Sequence, residues 1–225
     1  MFELILQLLF PFLIGTQAIL LMVLTKGEIC PGQRGRIHKL LPILVAGWLL
    51  GMTEQIVAII PFLLLLFFNI KIQTGKTRNI GPLWAYKLSL LTGIIVWVVT
   101  LFSMGNGLYA LYQLALVALL GAIGAHLLLT IARTRLQAFH QLLPVAGIFA
   151  TILTILIFLI YLLLLPEQQL DGVLNLILCS FIGLIAGVAV WASHLLRQKS
   201  IDKMQLFAAL LLLCGGVVIE ASLFI

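Results

Sequence analysis

Charge is what this chain has least of. Only 9% of its 225 residues are Asp, Glu, Lys or Arg, against 63% hydrophobic, where a soluble domain is about a quarter charged. With a mean hydropathy of +1.25, that much apolar surface cannot be hidden inside a water-soluble shell. The sequence therefore excludes a soluble globular protein and predicts a polytopic integral membrane protein. Polar–apolar alternation is also missing. The apolar runs are continuous, which selects helices rather than a closed barrel as the lipid-facing elements. No polar stretch is long enough for a separate soluble domain, so 1–225 reads as one all-α transmembrane domain. P-loop, His-Glu-x-x-His and Gly-x-Ser-x-Gly motifs are absent, and no nucleotide or hydrolase site is legible. Cys30, Cys179 and Cys214 are scattered, so no metal or redox pair is legible from their spacing. No Lys or Arg precedes the first apolar run, which carries only Glu3. A secretory leader starts basic, so the expectation is an uncleaved first helix.

What is present is a set of apolar runs, one of them too long. "LLPILVAGWLLGMTEQIVAIIPFLLLLFFNI" runs from Leu40 to Ile70 with one charge, Glu54. As a single helix the run from 38 to 70 would be about 50 Å long, against a hydrocarbon core of ~30 Å, and Pro42 and Pro61 oppose a straight rod. If the chain turns at "MTEQ", all 13 Lys and Arg lie on one side of the membrane; if it crosses once, they split four against nine. The bias of basic residues to the cytoplasmic side favours the turn. The predicted segments are about 2–25, 38–53, 56–71, 81–103, 107–131, 142–165, 172–196 and 204–225. That is eight segments, or seven if 40–70 is one long helix or a re-entrant hairpin. Both termini are then outside and the basic loops cytoplasmic, in a bacterial-type inner membrane. The opposite loops, "MTEQ", "SMGN" and "PEQQLD", carry Glu54, Glu167 and Asp171 and no cation. The basic loops account for the net charge of +6, which leaves no argument for nucleic acid; the partner implied is the bilayer.

"IHKLLP" at 37–42 returns as "FHQLLP" at 139–144, with a weaker echo at Met204. The reading is a repeated two-helix unit, with coincidence in a Leu-rich alphabet as the alternative. Gly183 and Gly187 form a Gly-x-x-x-Gly face for close helix packing, and Gly121 and Gly124 give a similar small face. Trp84, Tyr86 and Lys87 read as interfacial anchors. His38 and His140 read as headgroup contacts in the basic rim. Gln17 in "LIGTQAILL" reads as a hydrogen bond to a neighbouring helix, with substrate contact as the alternative.

Two sets of residues are candidates for chemistry. Glu54, Gln55, Tyr109 and Glu220 gather at the outer ends, with Asn106 and Glu167. A site that releases protons outward on quinol oxidation needs a carboxylate or histidine at such a mouth; solvated turn residues are the bland alternative. His126 and His194 lie at similar depth on two helices, as b-type haem ligation requires; interfacial or packing roles are the alternative. No catalytic residue and no metal ligand set is otherwise legible.

Three stretches carry a resemblance. "LLMVLTKGEI" closes the first helix on a Lys-Gly-acid break, "IHKLLPILVAGWLLGM" opens the second, and "LLLLCGGVVIEASLFI" forms the last. They resemble the membrane anchor subunit of dimethyl sulfoxide reductase-type molybdoenzymes, a family with eight helices and both termini outside. The resemblance implies a quinol-oxidising, otherwise non-catalytic subunit of an oxidoreductase. It would pass electrons to iron–sulfur and molybdenum-cofactor subunits on the outer face. The cofactor implied is a quinone or menaquinone, with nothing bound covalently. A small transporter or channel, and a membrane assembly or scaffold protein, remain the competing functions.

Overall fold

The structure, a computed structural model, describes residues 2–74, 80–134, 136–197 and 201–224. Among these it is helical throughout, with no strand. The helices are α1 (Phe2–Lys26), α2 (Pro31–His38), α3 (Leu41–Gly51), α4 (Ile59–Thr74), α5 (Leu83–Met104), α6 (Gly107–Ile131), α7 (Gln137–Leu163), α8 (Glu167–Arg197) and α9 (Lys203–Phe224). Six are long and apolar enough to cross a membrane: α1 and α5 to α9. The protein is thus a multi-pass helical membrane protein.

Local chemistry sets the breaks. Pro31 and Pro42 stand in the first turns of α2 and α3, where a missing N–H costs nothing. Gly105 ends α5 in the left-handed region at φ 68°. Asn106 then starts α6, its side chain accepting the Tyr109 N–H at 3.1 Å. The stretch from Leu40 to Ile70 is broken at the expected place. After Gly51 the backbone unwinds through Glu54, whose N–H reaches Gly51 O at 3.2 Å. It restarts in a 3-10 turn, Ile56–Ala58, that leads into α4. The two short limbs pack against each other.

Helix neighbours divide the chain into two rings. α1, α3, α4 and α5 each touch the next, and α5 returns to α1. α6, α7, α8 and α9 do the same, and α9 returns to α6. "IHKLLP" and "FHQLLP" stand at the openings of α3 and α7, the second long element of each ring. The two hexapeptides thus stand at corresponding places in the two rings. Met204, the weaker echo, stands at the opening of α9.

α1 and α6 form the seam between rings. A Cβ at Gly15 would land on Val117 O and Gly121 Cα, and one at Gly124 would land on Thr16 Oγ1. Only bare backbone fits at that crossing, the small-residue packing used where lipid supplies no hydrophobic drive between helices. On α8 against α9 the packing is looser: a Cβ at Gly183 would make ordinary contact with Gly216, while one at Gly187 would press on the Leu213 side chain.

The two ends of the bundle differ in charge. Arg36 Nη1 donates to Arg133 O at 3.2 Å across the seam, and the described Lys and Arg residues all fall at this basic end. Lys76, Arg78, Arg135 and Lys199 lie outside the described residues. Glu54, Glu220 and the opening of α8 at Glu167 mark the acidic end.

Candidate functional site

The acidic end holds a polar cluster around the sequence candidates. Tyr109, Tyr112 and Gln113 occupy adjacent positions on one face of α6, because residues three and four apart share a helix face. That face looks at α9, where Glu220 is fully buried. Tyr112 donates its hydroxyl to Glu220 Oε2 at 3.0 Å and lies 3.3 Å from Val217 O. Gln113 Nε2 donates to the Tyr109 hydroxyl at 2.7 Å. Glu54, half-buried in its turn, is within electrostatic reach of Tyr109. Phe224 packs against the rings of Tyr109, Tyr112, Phe158 and Tyr161 at 4.2–5.7 Å between centroids. Two buried oxygens, Glu220 Oε1 and Gln113 Oε1, have no hydrogen-bond partner among the described residues. Burying a polar atom without a partner costs about 1–3 kcal/mol. Such an atom inside an otherwise satisfied cluster marks a place for a proton or a donor group.

Three of the four expected outer residues, Glu54, Tyr109 and Glu220, are thus brought together. Gln55 is not joined to them among the described residues: its backbone bonds stay within the turn, N–H to Gly51 O at 3.0 Å and carbonyl accepting Ala58 N–H at 2.9 Å. Tyr112 was not singled out from the sequence, and Gln113 stood out there only as a mid-membrane polar residue, not as part of this site. Their spacing from Tyr109 was the available signal.

An apolar groove of about 420 Å³ lies between α5 and α6 at the same end, lined by Trp97, Val98, Leu101, Phe102, Asn106 and Leu114 among others. It opens on the lipid-facing side, where Phe102 is 82% exposed. The indole N–H of Trp97 is buried without a partner among the described residues. On α6 the groove residues Gly107, Ala110 and Leu114 lie on the face opposite Tyr112 and Glu220. Asn106 touches both sides, as a wall of the groove and as the cap on Tyr109.

At the basic end His126, His140 and His194 converge, from α6, α7 and α8. Trp191 Nε1 donates to His126 Nδ1 at 2.9 Å, and His126 Nε2 meets His140 Nδ1 at 3.0 Å. His194 Nδ1 faces Trp191 O at 2.8 Å. The pair expected for haem is therefore close, with ring centroids 5.8 Å apart, but its nitrogens point at protein groups rather than into a shared slot. An iron between them would have to displace those bonds. His140, expected in the basic rim, is half-buried and also bonds within this cluster, whereas His38 is buried, edge-on to Phe68 at 5.8 Å.

In the first ring Gln17 is fully engaged. Its Oε1 accepts Trp48 Nε1 at 2.9 Å, its Nε2 donates to Ser89 Oγ at 3.2 Å, and Tyr86 donates back to the Gln17 carbonyl at 3.1 Å. This ties α1 to α3 and α5, the helix-bonding role expected of Gln17. It corrects the reading of Tyr86: that side chain is buried, while Trp84 on the next face is exposed.

Comparison with known proteins agrees with the membrane architecture. A Haemophilus influenzae protein described as uncharacterized is 35% identical over 158 residues, which cover 66% of this chain. The match spans 59% of that relative's length. No solved structure matches the chain. A family described as an integral membrane domain matches residues 2–216, and the chain belongs to it.

Proposed function

We propose that the chain is the quinol-oxidising membrane subunit of a larger oxidoreductase, with the acidic end facing outward. One observation carries the reading. Among the described residues, Glu220 is a fully buried carboxyl with one oxygen bonded by Tyr112 and the other without a partner, at the end of the bundle where no described Lys or Arg falls. Ionisable groups inside a membrane protein mark proton or substrate sites.

In this reading the ring and isoprenoid tail of a quinol enter from lipid into the apolar groove between α5 and α6. Oxidation of one quinol yields one quinone, two electrons and two protons. The protons leave by the acidic end. The groove and Glu220 lie on opposite faces of α6, so in this reading the quinol head reaches the cluster around the helix start, where Asn106 is a wall of the groove and caps the Tyr109 amide; Glu220 is then the acceptor, with Tyr109 and Glu54 leading to water. The electrons pass to an iron–sulfur partner docked on the outer loops and on to a molybdenum-cofactor subunit, as the family resemblance implies. Between Gln113 and His126 the buried face of α6 is apolar, with Leu116, Leu119, Leu120 and Ile123. Thr151, Thr154 and Ser180 each donate into their own helix. That insulation suits one-sided proton release.

The competing reading, a transporter, rests on the same Glu220. It needs a polar path between two rings whose seam is closed at Gly15 and Gly121. The test is a mild-detergent purification from native membranes, followed by a quinol oxidation assay on what co-purifies. The expected result is stoichiometric iron–sulfur and molybdenum subunits, and a rate that falls about a hundredfold or more in Glu220→Gln. A chain that purifies alone, and whose liposomes carry a Glu220-dependent ion flux, would overturn the proposal in favour of transport.

A further inference from the structure

The histidine cluster at the basic end has hydrogen-bond directions that can be worked out atom by atom. An indole N–H only donates, so Trp191 requires a bare Nδ1 on His126. A neutral His126 then carries its proton on Nε2 and donates it to His140 Nδ1. His140 in turn carries its proton on Nε2, which lies 3.2 Å from Thr134 O. This line is saturated. A further proton on His126 would face the Trp191 N–H, and one on His140 Nδ1 would face the His126 N–H. Each would break a bond already made.

His194 is different. Its Nδ1 faces Trp191 O at 2.8 Å and its Nε2 faces His140 O at 3.4 Å. Both are carbonyls, which only accept, and a neutral ring has one N–H for the two. The second carbonyl also lacks its ordinary donor. Residue 144, four positions after His140, is Pro144, which has no N–H and sits inside α7. Proline thus leaves the His140 carbonyl open, and His194 is aimed at it from the neighbouring helix.

We infer that His194 is a proton-binding site in which one added proton completes a bond from α8 to the proline-freed His140 carbonyl of α7, while Trp191 holds His126 neutral. Two imidazoles face it, His126 from α6 and His140 from α7. From α9, Gln205 bonds Val190 O at 2.7 Å and Ser193 Oγ at 3.0 Å. On its own helix, Arg197 is exposed. No acidic side chain is recorded against the ring among the described residues. The site lies about 20 Å along α6 from Gln113, behind the apolar stretch. It is independent of the quinol reading.

The test is nitrogen NMR of the intact protein in lipid nanodiscs with ring-labelled histidine, titrated from about pH 8 to about pH 5, where histidine ordinarily changes charge. His126 is identified by its cross-peak to the Trp191 indole proton. The expected result is one ring of the cluster passing to the doubly protonated signature, lost in His194→Gln, while His126 Nδ1 stays bare and the Trp191 indole proton stays bonded. Pro144→Ala returns an N–H to the His140 carbonyl with His194 left in place, and is expected to weaken proton uptake at His194 selectively. If His140 or His126 takes the first proton, or if the Trp191 indole resonance moves to its free position on acidification, the inference is wrong. Spectra that respond to added zinc and not to acid would overturn it in favour of a metal site. In the wild type, His140 and His194 are assigned through their own backbone resonances, so the titration decides the matter even if a variant fails to fold.

Discussion

The seam between the two rings gives a prediction that can be worked from distances. Alanine at Gly15 places a methyl on Val117 O and 2.6 Å from Gly121 Cα, while ordinary carbon contacts begin near 3.4 Å. Backbone cannot rotate away as a side chain can, so α1 and α6 must part by about 1 Å. A gap of that size forfeits a quarter to a half of each dispersion contact along the seam. In lipid those contacts are the main attraction between helices. Overpacking of this kind costs about 1–3 kcal/mol. Alanine at Gly121 meets the same crossing from the other side, 2.6 Å from the Gly15 carbonyl carbon. Once one methyl has spread the helices, the second finds room, so the double variant should cost about 1 kcal/mol less than the sum. Gly215 and Gly216 on α9 supply an internal control. A Cβ at Gly215 meets nothing within 4 Å, while one at Gly216 lies 2.9 Å from Leu184 Cγ and Ser180 O. Gly215→Ala should therefore stabilise by up to about 1 kcal/mol through helix propensity, and Gly216→Ala should destabilise. The assay is reversible unfolding in mixed micelles by rising SDS, followed by tryptophan fluorescence. A Gly15→Ala protein as stable as wild type, or a double variant equal to the sum of the singles, would refute the backbone seam.

Three further outcomes follow from single hydrogen bonds. Tyr112→Phe removes the donor to Glu220 and leaves a buried carboxyl oxygen bare, which should cost about 1–3 kcal/mol in the same assay; an unchanged midpoint would mean that the bond contributes nothing to the fold. Trp48→Phe keeps an aromatic ring but strips Gln17 Oε1 of its donor, and the smaller ring adds a cavity cost to the bond's. The lost bond should cost about 1–3 kcal/mol, and Gln17→Leu in the same background should recover part of it, as removing both partners is cheaper than removing one. Asn106→Ala deletes the cap on α6 and should cost about 1 kcal/mol. Faster hydrogen exchange at the Tyr109 amide would localise that loss, and unchanged exchange there would show that the cap is not holding the helix start.

Much of the layout was legible because it depends on local quantities. The break near Glu54 follows from a run too long for one crossing, and the separation of basic from acidic ends follows from counting crossings between charged loops. Counting also placed Glu54, Tyr109 and Glu220 at one end, though it could not say whether they touch. Tyr112 and Gln113 were within reach of the same reasoning, since a three- or four-residue step from Tyr109 keeps to one face. Burial was the harder quantity. Tyr86 and Trp84 have the same composition signal, an aromatic ring near a basic rim, yet one is bonded to Gln17 and the other faces outward, because two residues apart is just over half a helical turn. The histidines show where sequence reasoning runs out. His126 and His140 are separated by a turn, but His194 joins them only because α8 closes the second ring against α7, and nothing local to "ASHLLR" specifies that closure. Pro144 is the instructive residue. Its cost to α7, one orphaned carbonyl at His140, is readable from the sequence alone. What answers that carbonyl comes from 54 residues further along the chain, so the proline is seen as part of a site only when the ring is closed.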